Sequence, residues 1–290
     1  MIRSDIPLKK LISDTVKALS ALRSPSACAS SPLCSPPDRR EVVRVIKALQ
    51  ALLFPSCFQR ENPRMSDEAL LECTARDLTE QIERAFLFRG GEGDAAALCD
   101  RYLARLPGIK RLLLLDVEAL YEGDPAARSR EEVMICYPGF YAISIYRLAH
   151  ELYALEVPLL PRIMTEFAHE KTGIDIHPGA AIGEYFFIDH GTGTVIGETT
   201  VIGDHVKLYQ GVTLGARSFD LDENGNPVKG IKRHPNIGNN VVIYANATIL
   251  GGDTSIGDNC VIGGNTWLTS SVPAGEIVQY HSPDQEDRES

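Results

Sequence analysis

Residues 175–202 decide the fold, and they read DIHPGAAIGEYFFIDHGTGTVIGETTVI. An aliphatic residue recurs there at a short fixed interval, and glycine often follows it. This spacing continues downstream and places aliphatic side chains at Ile176, Ile182, Ile188, Ile196, Ile202, Leu208, Leu214, Ile237, Ile243, Ile249, Ile256, Ile262 and Leu268. A period of six is neither helical nor that of a simple strand, and it is typical of a parallel β-helix. The aliphatic side chain fills the interior, and glycine lets the backbone turn at little steric cost.

Three interruptions of this period mark places where the β-helix carries something else. The step from Ile188 to Ile196 is eight residues long and contains Asp189 and His190. The next long step inserts a loop at 215–236 that ends in Lys-Arg-His-Pro at 232–235, and the third adds one residue after Ile249. Functional side chains are often carried on loops held by a rigid scaffold. The first two interruptions, which contain histidine and charged residues, are therefore candidate functional segments.

The segment before the repeat has a helical pattern. Apolar residues at helical spacing predict a short helix over 5–22 and several helices between 39 and 172, one of them capped by Ser66. A stretch rich in proline and serine at 23–38 predicts a linker. The fold class is therefore α+β. Its predicted parts are an amino-terminal segment and linker (1–38), an all-α domain (39–172), a β-helix of hexapeptide repeats (173–275) and a polar tail (276–290).

Composition excludes several classes of protein. The 290 residues carry a formal net charge of −10, which argues against a general nucleic-acid binder. We expect neither a membrane span nor a secretory signal, because the sequence has no long apolar run. Seven cysteines at irregular spacing indicate a reducing, cytoplasmic compartment. Cys28 and Cys34 could bind a metal or form a disulfide, although free thiols in a linker are favoured.

His190 is the principal candidate for chemistry. Asp175 precedes it by fifteen residues, which is close to the roughly eighteen residues of one β-helix coil. The two could face each other, so that the carboxylate fixes the tautomer of the imidazole and leaves a base near neutral pH. From spacing alone, a purely structural histidine is equally well supported. Arg233 and His234 could anchor a carboxylate. No close pair of zinc-type ligands is present, so we expect no resident metal.

Several motifs together resemble the serine O-acetyltransferases. In the β-helix these are DIHPGA (175–180), IDHGTGTVIGET (188–199), QGVTLG (210–215) and KRHP (232–235), and in the helical part GDPAA (123–127) and YPGFYA (137–142). Hexapeptide repeats alone occur in many acyltransferases, so the combination is what makes the resemblance specific. It implies a left-handed β-helix and acetyl transfer from acetyl-CoA to L-serine, the first step of cysteine synthesis.

The resemblance also implies a role for individual residues. His190 would be the general base, with Asp175 orienting it. Asp124 and Asp189 would bind the ammonium group of serine, while Arg233 and His234 would hold its carboxylate. Three further positions, Gly215, Ala216 and Ala245, match those that approach the pantetheine arm of coenzyme A. Acetyl-CoA would be a co-substrate, with no permanently bound cofactor.

Partners follow from the same resemblance. L-cysteine shares the charged groups of L-serine, so we expect competitive inhibition. The open end and flat faces of a β-helix favour a homo-oligomer, either a trimer or a dimer of trimers. The chain ends in Glu289-Ser290, where relatives that dock on O-acetylserine sulfhydrylase usually end in isoleucine. We therefore expect no tight complex through this tail.

The sequence leaves alternatives open for the acceptor, for the role of the chain and for the insert. The acceptor could be a sugar or another small hydroxylated molecule, although the GDPAA segment argues against this. The chain could also be an inactive β-helix that serves as an assembly scaffold, which His190, Asp175 and Arg233 argue against. The insert at 217–232 could cover the coenzyme A site or form a surface hairpin around Asn224-Gly225.

Overall fold

The computed structural model of the chain describes residues 8–22, 35–218 and 221–280. Most of the predicted linker, with Cys28 and Cys34, lies outside the described residues, and so does the tail from 281 to Ser290. Within the described ranges, no helix is long and apolar enough to cross a membrane. The cysteines in these ranges are all unpaired, and they are Cys57, Cys73, Cys99, Cys136 and Cys260.

Helices fill the amino-terminal part of the described chain. They are α1 (Leu8–Ala21), α2 (Arg39–Leu53), α3 (Asp67–Arg89), α4 (Ala95–Leu103), α5 (Leu106–Gly123), α6 (Arg130–Cys136), α7 (Pro138–Ala154) and α8 (Leu160–Thr172). Ser66 caps α3 as predicted, since its side chain accepts a hydrogen bond from Ala69 N at 3.2 Å. Helix α6 was not predicted, because seven residues are too short to show an apolar stripe.

Short parallel strands form the rest of the chain. They are β1 (Asp175–Ile176), β2 (Ala181–Ile182), β3 (Phe187–Ile188), β4 (Val195–Ile196), β5 (Val201–Ile202), β6 (Lys207–Leu208), β7 (Thr213–Gly215), β8 (Asn236–Ile237), β9 (Val242–Ile243), β10 (Thr248–Leu250), β11 (Ser255–Ile256), β12 (Val261–Ile262), β13 (Trp267–Leu268) and β14 (Ile277–Val278). Every aliphatic residue of the predicted repeat is the second residue of a strand. The parallel β-helix read from the sequence is therefore confirmed.

The strands stack into three sheets that enclose the aliphatic core. The first sheet has the order β1-β4-β7-β10-β13, the second β11-β8-β5-β2, and the third β14-β12-β9-β6-β3. Side chains such as Ile188, Leu208 and Leu214 are fully buried between them. Each such side chain stabilises the fold by about 1.5–3 kcal/mol. A slip of one residue would turn this row outward, so the row also sets the register of the coils.

A ladder of side-chain hydrogen bonds joins successive coils at the corner between the second and third sheets. Asp204 Oδ1 accepts a hydrogen bond from Glu184 N at 2.7 Å, and Asn239 Oδ1 accepts one from Asp204 N at 2.9 Å. Asp258 Oδ1 continues the ladder by accepting from Asn239 N at 2.6 Å. These bonds satisfy backbone donors that the turns leave without strand partners.

A buried ion pair joins the helices to the first coil of the β-helix. Arg147 of α7 donates to Asp116 of α5 at 2.5 and 2.8 Å, and both side chains are almost fully buried. Arg147 also donates to the carbonyl of Gly183 at 2.7 Å, while Asp116 accepts from Phe186 N at 3.0 Å. Because both charges are paired and hydrogen-bonded, their burial is tolerated.

Two glycines bring the ends of α5 and α7 against β3. A Cβ atom on Gly139 would lie 2.1 Å from the carbonyl oxygen of Ile188, and one on Gly123 would lie 2.5 Å from the Phe187 ring. Only glycine permits such close approach. The GDPAA and YPGFYA motifs are thereby held beside the strand that leads into Asp189 and His190.

Candidate active site

His190 projects from the corner between the third and first sheets. The two extra residues of this turn put His190 and Gly191 in the left-handed region, with φ of 53° and 70°. Asp189 Oδ1 accepts a hydrogen bond from the His190 backbone N at 2.8 Å, and its Oδ2 lies 3.7 Å from His190 Nε2. The His190 side chain is 72% exposed. The interrupted period therefore presents an accessible imidazole beside a carboxylate.

Asp124 lies at the same corner. It follows α5, and its Oδ2 accepts a 2.5 Å hydrogen bond from the hydroxyl of Tyr137, the residue that precedes α7. This bond, with a second from Ala126 N, holds the pKa of Asp124 below its usual value, and nearby His190 acts in the same direction. We call Asp124, Tyr137, Asp189 and His190 the acidic corner. The site thus has two carboxylates close to the imidazole.

Arg233 and His234 lie at a different corner, between the first and second sheets. The Arg233 guanidinium forms an ion pair with Glu198, which also accepts a hydrogen bond from Tyr153 at 3.0 Å. Burial would raise the pKa of Glu198, but the bonds from Arg233 and Tyr153 outweigh it and lower that pKa. Half-buried His177 lies nearby, and burial lowers its pKa, as does the charge of Arg162. We call His177, Glu198, Arg233 and His234 the basic corner.

His234 is almost fully buried at the basic corner. Burial and the neighbouring Arg233 charge lower its pKa to about 4. Its imidazole is therefore neutral at pH 7. A neutral imidazole in this place can offer one hydrogen-bond donor without adding charge.

Asp175 lies in β1, on the first sheet between the two corners. Its carboxylate, Glu166 and His169 each offer a ligand atom within 4.8 Å of the others. This trio has the spacing of a potential metal site, which the sequence did not suggest. Among the described residues, the hydrogen bond and ion pair of His190 go to Asp189, and none joins it to Asp175.

The residues matched to the pantetheine arm are divided between the two edges of the first sheet, as the acidic and basic corners are. Gly215 ends β7, so Gly215 and Ala216 lie at the edge of the first sheet that carries the basic corner. Ala245 follows β9 and lies at the edge that carries the acidic corner. The predicted serine and coenzyme A residues therefore occupy both edges of the first sheet.

An aromatic pair beside the acidic corner was missed by sequence reasoning. Tyr209 stacks on Tyr244 with ring centroids 5.3 Å apart, and Phe187 meets Tyr209 edge-on at 5.7 Å. Tyr209 lies one coil above Asp189. Burial raises the pKa of Tyr209, and the neighbouring Tyr244 and Asp189 act in the same direction. A usable signal was that Asp189, Tyr209 and Tyr244 each follow the repeat aliphatic directly.

Within the described part of the insert, residues 221–227 form a surface hairpin. Leu221 and Pro227 form an antiparallel bridge, and Asp222 Oδ1 accepts hydrogen bonds from Asn224 N and Asn226 N. Val228, Lys229 and Gly230 then line a cavity of about 280 Å³ together with Glu198 and Arg233. The insert thus borders the basic corner.

Known serine acetyltransferases resemble this chain in sequence. No protein-family model matches the chain. A plasmid-encoded serine acetyltransferase of Synechococcus elongatus is 50% identical over 261 residues, which cover 83% of this chain and 81% of the relative. The chain belongs to the serine acetyltransferase family. The serine acetyltransferase of Helicobacter pylori strain 26695 is 46% identical over 57% of this chain and 91% of its own length.

Solved serine acetyltransferases share the fold. Entamoeba histolytica serine acetyltransferase 1, solved in complex with L-cysteine, superposes with a TM-score of 0.73 at 38% identity, covering 82% of this chain and 86% of that one. The Neisseria gonorrhoeae serine acetyltransferase in complex with serine gives a TM-score of 0.58 at 30% identity, covering 84% and 86%. The helical region followed by a left-handed β-helix is therefore the family architecture.

Proposed function

We propose that this chain transfers the acetyl group of acetyl-CoA to the hydroxyl of L-serine, at sites that two neighbouring subunits share. The family membership and the acidic and basic corners support this activity. An amino acid carries one ammonium and one carboxylate. The acidic corner offers carboxylates to the ammonium, and the Arg233 guanidinium, which pairs with Glu198 through one nitrogen, keeps further N–H donors for the carboxylate. Acetyl-CoA acts as a co-substrate. The comparisons do not favour a sugar acceptor or an inactive scaffold.

In the proposed reaction His190 takes the proton from the serine hydroxyl as its oxygen attacks the thioester carbon. The new C–O bond forms, the C–S bond breaks, and the imidazolium returns the proton to the departing thiolate. The base is needed because a protonated serine hydroxyl is a poor nucleophile. Asp124 and Asp189 would bind the substrate ammonium. Asp175 would orient His190.

The arrangement of the two corners carries the proposal of a shared site. They flank the first sheet on opposite edges, so one chain cannot direct both at the same small amino acid. In a closed ring of subunits that pack through their first sheets, the acidic corner of one subunit meets the basic corner of the next. This sheet also exposes apolar side chains, with Val195 37% and Trp267 68% exposed. A homotrimer is the smallest ring with this arrangement.

Subunit mixing tests the shared site. His190→Ala removes the base and Arg233→Ala weakens serine binding, so at serine concentrations well below KM each homo-oligomer is expected to turn over L-serine at about one tenth of the wild-type rate or less. In a random mixture of equal amounts, about one quarter of the sites in a ring pair an intact His190 with an intact Arg233 from the neighbour. Thiol release from acetyl-CoA should then recover to about that fraction. Sites confined to one chain would give no recovery in a mixture whose exchange is confirmed by native mass.

We also propose that L-cysteine inhibits the chain and that the chain lies in the cytoplasm. L-cysteine would occupy the same two corners as L-serine, because the two differ only in the group on the β-carbon. The unpaired cysteines of the described residues fit a reducing cytoplasm.

A further inference from the structure

Thr199 holds both residues of the basic corner that would meet the substrate carboxylate. Its Oγ1 accepts hydrogen bonds from Arg233 N at 3.0 Å and from His234 N at 3.1 Å. The same oxygen lies 2.9 Å from His234 Nδ1. Lys232 adds to this connection by donating to the Thr199 carbonyl at 2.5 Å. The sequence gives no sign of this role, because Thr199 carries no charge and lies in the turn between β4 and β5.

The hydroxyl of Thr199 has one available hydrogen-bond acceptor. A threonine hydroxyl offers one hydrogen and two lone pairs. The backbone N–H groups of Arg233 and His234 use the lone pairs, so the hydrogen points at His234 Nδ1. The backbone N of Thr199 also donates to Nδ1, at 3.1 Å. Two donors directed at one nitrogen require that Nδ1 carries no proton.

The neutral imidazole must then carry its proton on Nε2. His234 faces the charges of Arg233, Lys232 and Glu198, with His177 also close, and burial together with Arg233 keeps its pKa near 4. At neutral pH the ring therefore has one N–H, and Thr199 decides which nitrogen bears it.

Nε2 is free to meet a ligand. Among the described residues, no hydrogen bond to His234 Nε2 is formed, and this atom is not among the buried atoms without a partner. The ring packs closely on Gly197, where a Cβ atom would be 2.2 Å from Nε2. The free N–H thus lies at the basic corner beside the Arg233 guanidinium.

We propose that Thr199 is a positioning residue that locks His234 in its Nε2–H tautomer and so makes it a donor to the carboxylate of the amino-acid substrate. This role rests on the proposed function. With the proton on Nδ1, the ring would turn a lone pair toward the carboxylate and lose the bond. A hydrogen bond to a charged group is worth about tenfold or more in affinity.

Two variants of the full-length oligomer test the proposal. Thr199→Val keeps the shape and the backbone N–H but removes the hydroxyl, which is one of the two donors to His234 Nδ1 and the acceptor for Arg233 N and His234 N, whereas Thr199→Ser keeps both donors. We expect Thr199→Val to raise the KM for L-serine and the inhibition constant of L-cysteine about tenfold, with kcat and the KM for acetyl-CoA within about twofold. Thr199→Ser should behave like wild type. A folded Thr199→Val oligomer with unchanged KM, or a Thr199→Ser variant that is equally impaired, would overturn it.

The tautomer can be measured without relying on either variant. Two-bond ¹⁵N–¹H spectra of wild-type protein labelled on histidine, with His234→Gln for assignment, should show the proton of His234 on Nε2. A proton on Nδ1 overturns the proposal even if Thr199→Val fails to fold. Failure of the proposed function is distinct, because wild type would then release no thiol with L-serine while the tautomer remains measurable.

Discussion

The hydroxyl of Tyr137 donates a 2.5 Å hydrogen bond to Asp124 Oδ2 and ties the start of α7 to the end of α5 beside His190. Tyr137→Phe should raise the KM for L-serine several-fold, because the carboxylate that would bind the ammonium loses a partner that orients it. The effect on kcat should be smaller. Steady-state kinetics would show this, with Tyr141→Phe in the first turn of α7 as control. An unchanged KM would contradict the proposal that Asp124 binds the ammonium group of serine.

His190→Ala should lower kcat by about 10²–10⁴, the usual effect of losing a general base. The fold should survive, because the His190 side chain is 72% exposed. His205→Ala is a matched control, since His205 also has positive φ at a corner, where it stacks on Tyr185. Thiol release and oligomer mass are the measurements. Wild-type kcat in the His190 variant would exclude the general-base mechanism.

Asp175→Asn should lower kcat less than His190→Ala, because the imidazole remains. Glu166→Gln is the appropriate comparison, since Glu166 lies next to Asp175 on the adjoining helix. It should have little effect on kcat if Asp175 acts through His190. A loss as large as that of His190→Ala, in a folded Asp175→Asn variant, would show that this carboxylate does more than orient the base.

Arg233→Ala should weaken L-serine and L-cysteine together, because it removes a contact to the carboxylate that both carry. The KM for serine and the inhibition constant of cysteine should rise by similar factors, about tenfold or more. Lys229→Ala, which alters the same cavity, should change neither. Inhibition by cysteine that added serine does not relieve would contradict a shared site.

His234 should make stability depend on pH in a defined window. Burial lowers its pKa from 6.5 to about 4 in the folded chain. Above the unfolded value both states are neutral and the folded state keeps its full stability. As the pH falls from about 6.5 to about 4, the unfolded chain binds a proton that the folded chain excludes, so the free energy of unfolding decreases. His177 acts in the same direction.

Denaturant unfolding at about pH 7 and about pH 5 would measure this effect. The wild-type chain should lose more stability between the two values than His234→Gln, whose amide does not titrate. Equal losses in the two proteins would mean that His234 is not held neutral. Comparing the two proteins removes the contribution of carboxylates that titrate in both.

The β-helix could be predicted because its period depends only on local residue types. Each aliphatic from Ile176 to Leu268 had to point inward, so spacing alone placed β1 to β13. It did not place β14, because Ile277 and Val278 lie beyond the last repeat position, in the segment predicted as a polar tail. The same logic flagged His190, where the period breaks. Spacing along one chain does not reveal which corner a side chain occupies relative to a neighbour. The separation of Asp189 from Arg233 by a whole sheet was therefore not apparent in the sequence.

The hydrogen bonds between separate elements could not be predicted from the sequence either. Thr199 lies in an ordinary turn between β4 and β5, and only the long insert brings Arg233 and His234 back onto it. Asp175 was matched to His190 from coil length, whereas α8 places Glu166 and His169 beside it. A helix that packs on the first coil leaves no mark on the hexapeptide period. These contacts depend on how separate elements dock, which residue patterns within each element do not encode.

The position of the two corners on opposite edges of the first sheet has a consequence for activity in dilute solution. A dissociated subunit of the proposed ring would keep every proposed site residue and its own fold, yet would hold two halves of different sites. Turnover per chain would then follow mass action and fall on dilution while helical and strand content stay constant. Specific activity measured against enzyme concentration would report the dissociation constant of the assembly.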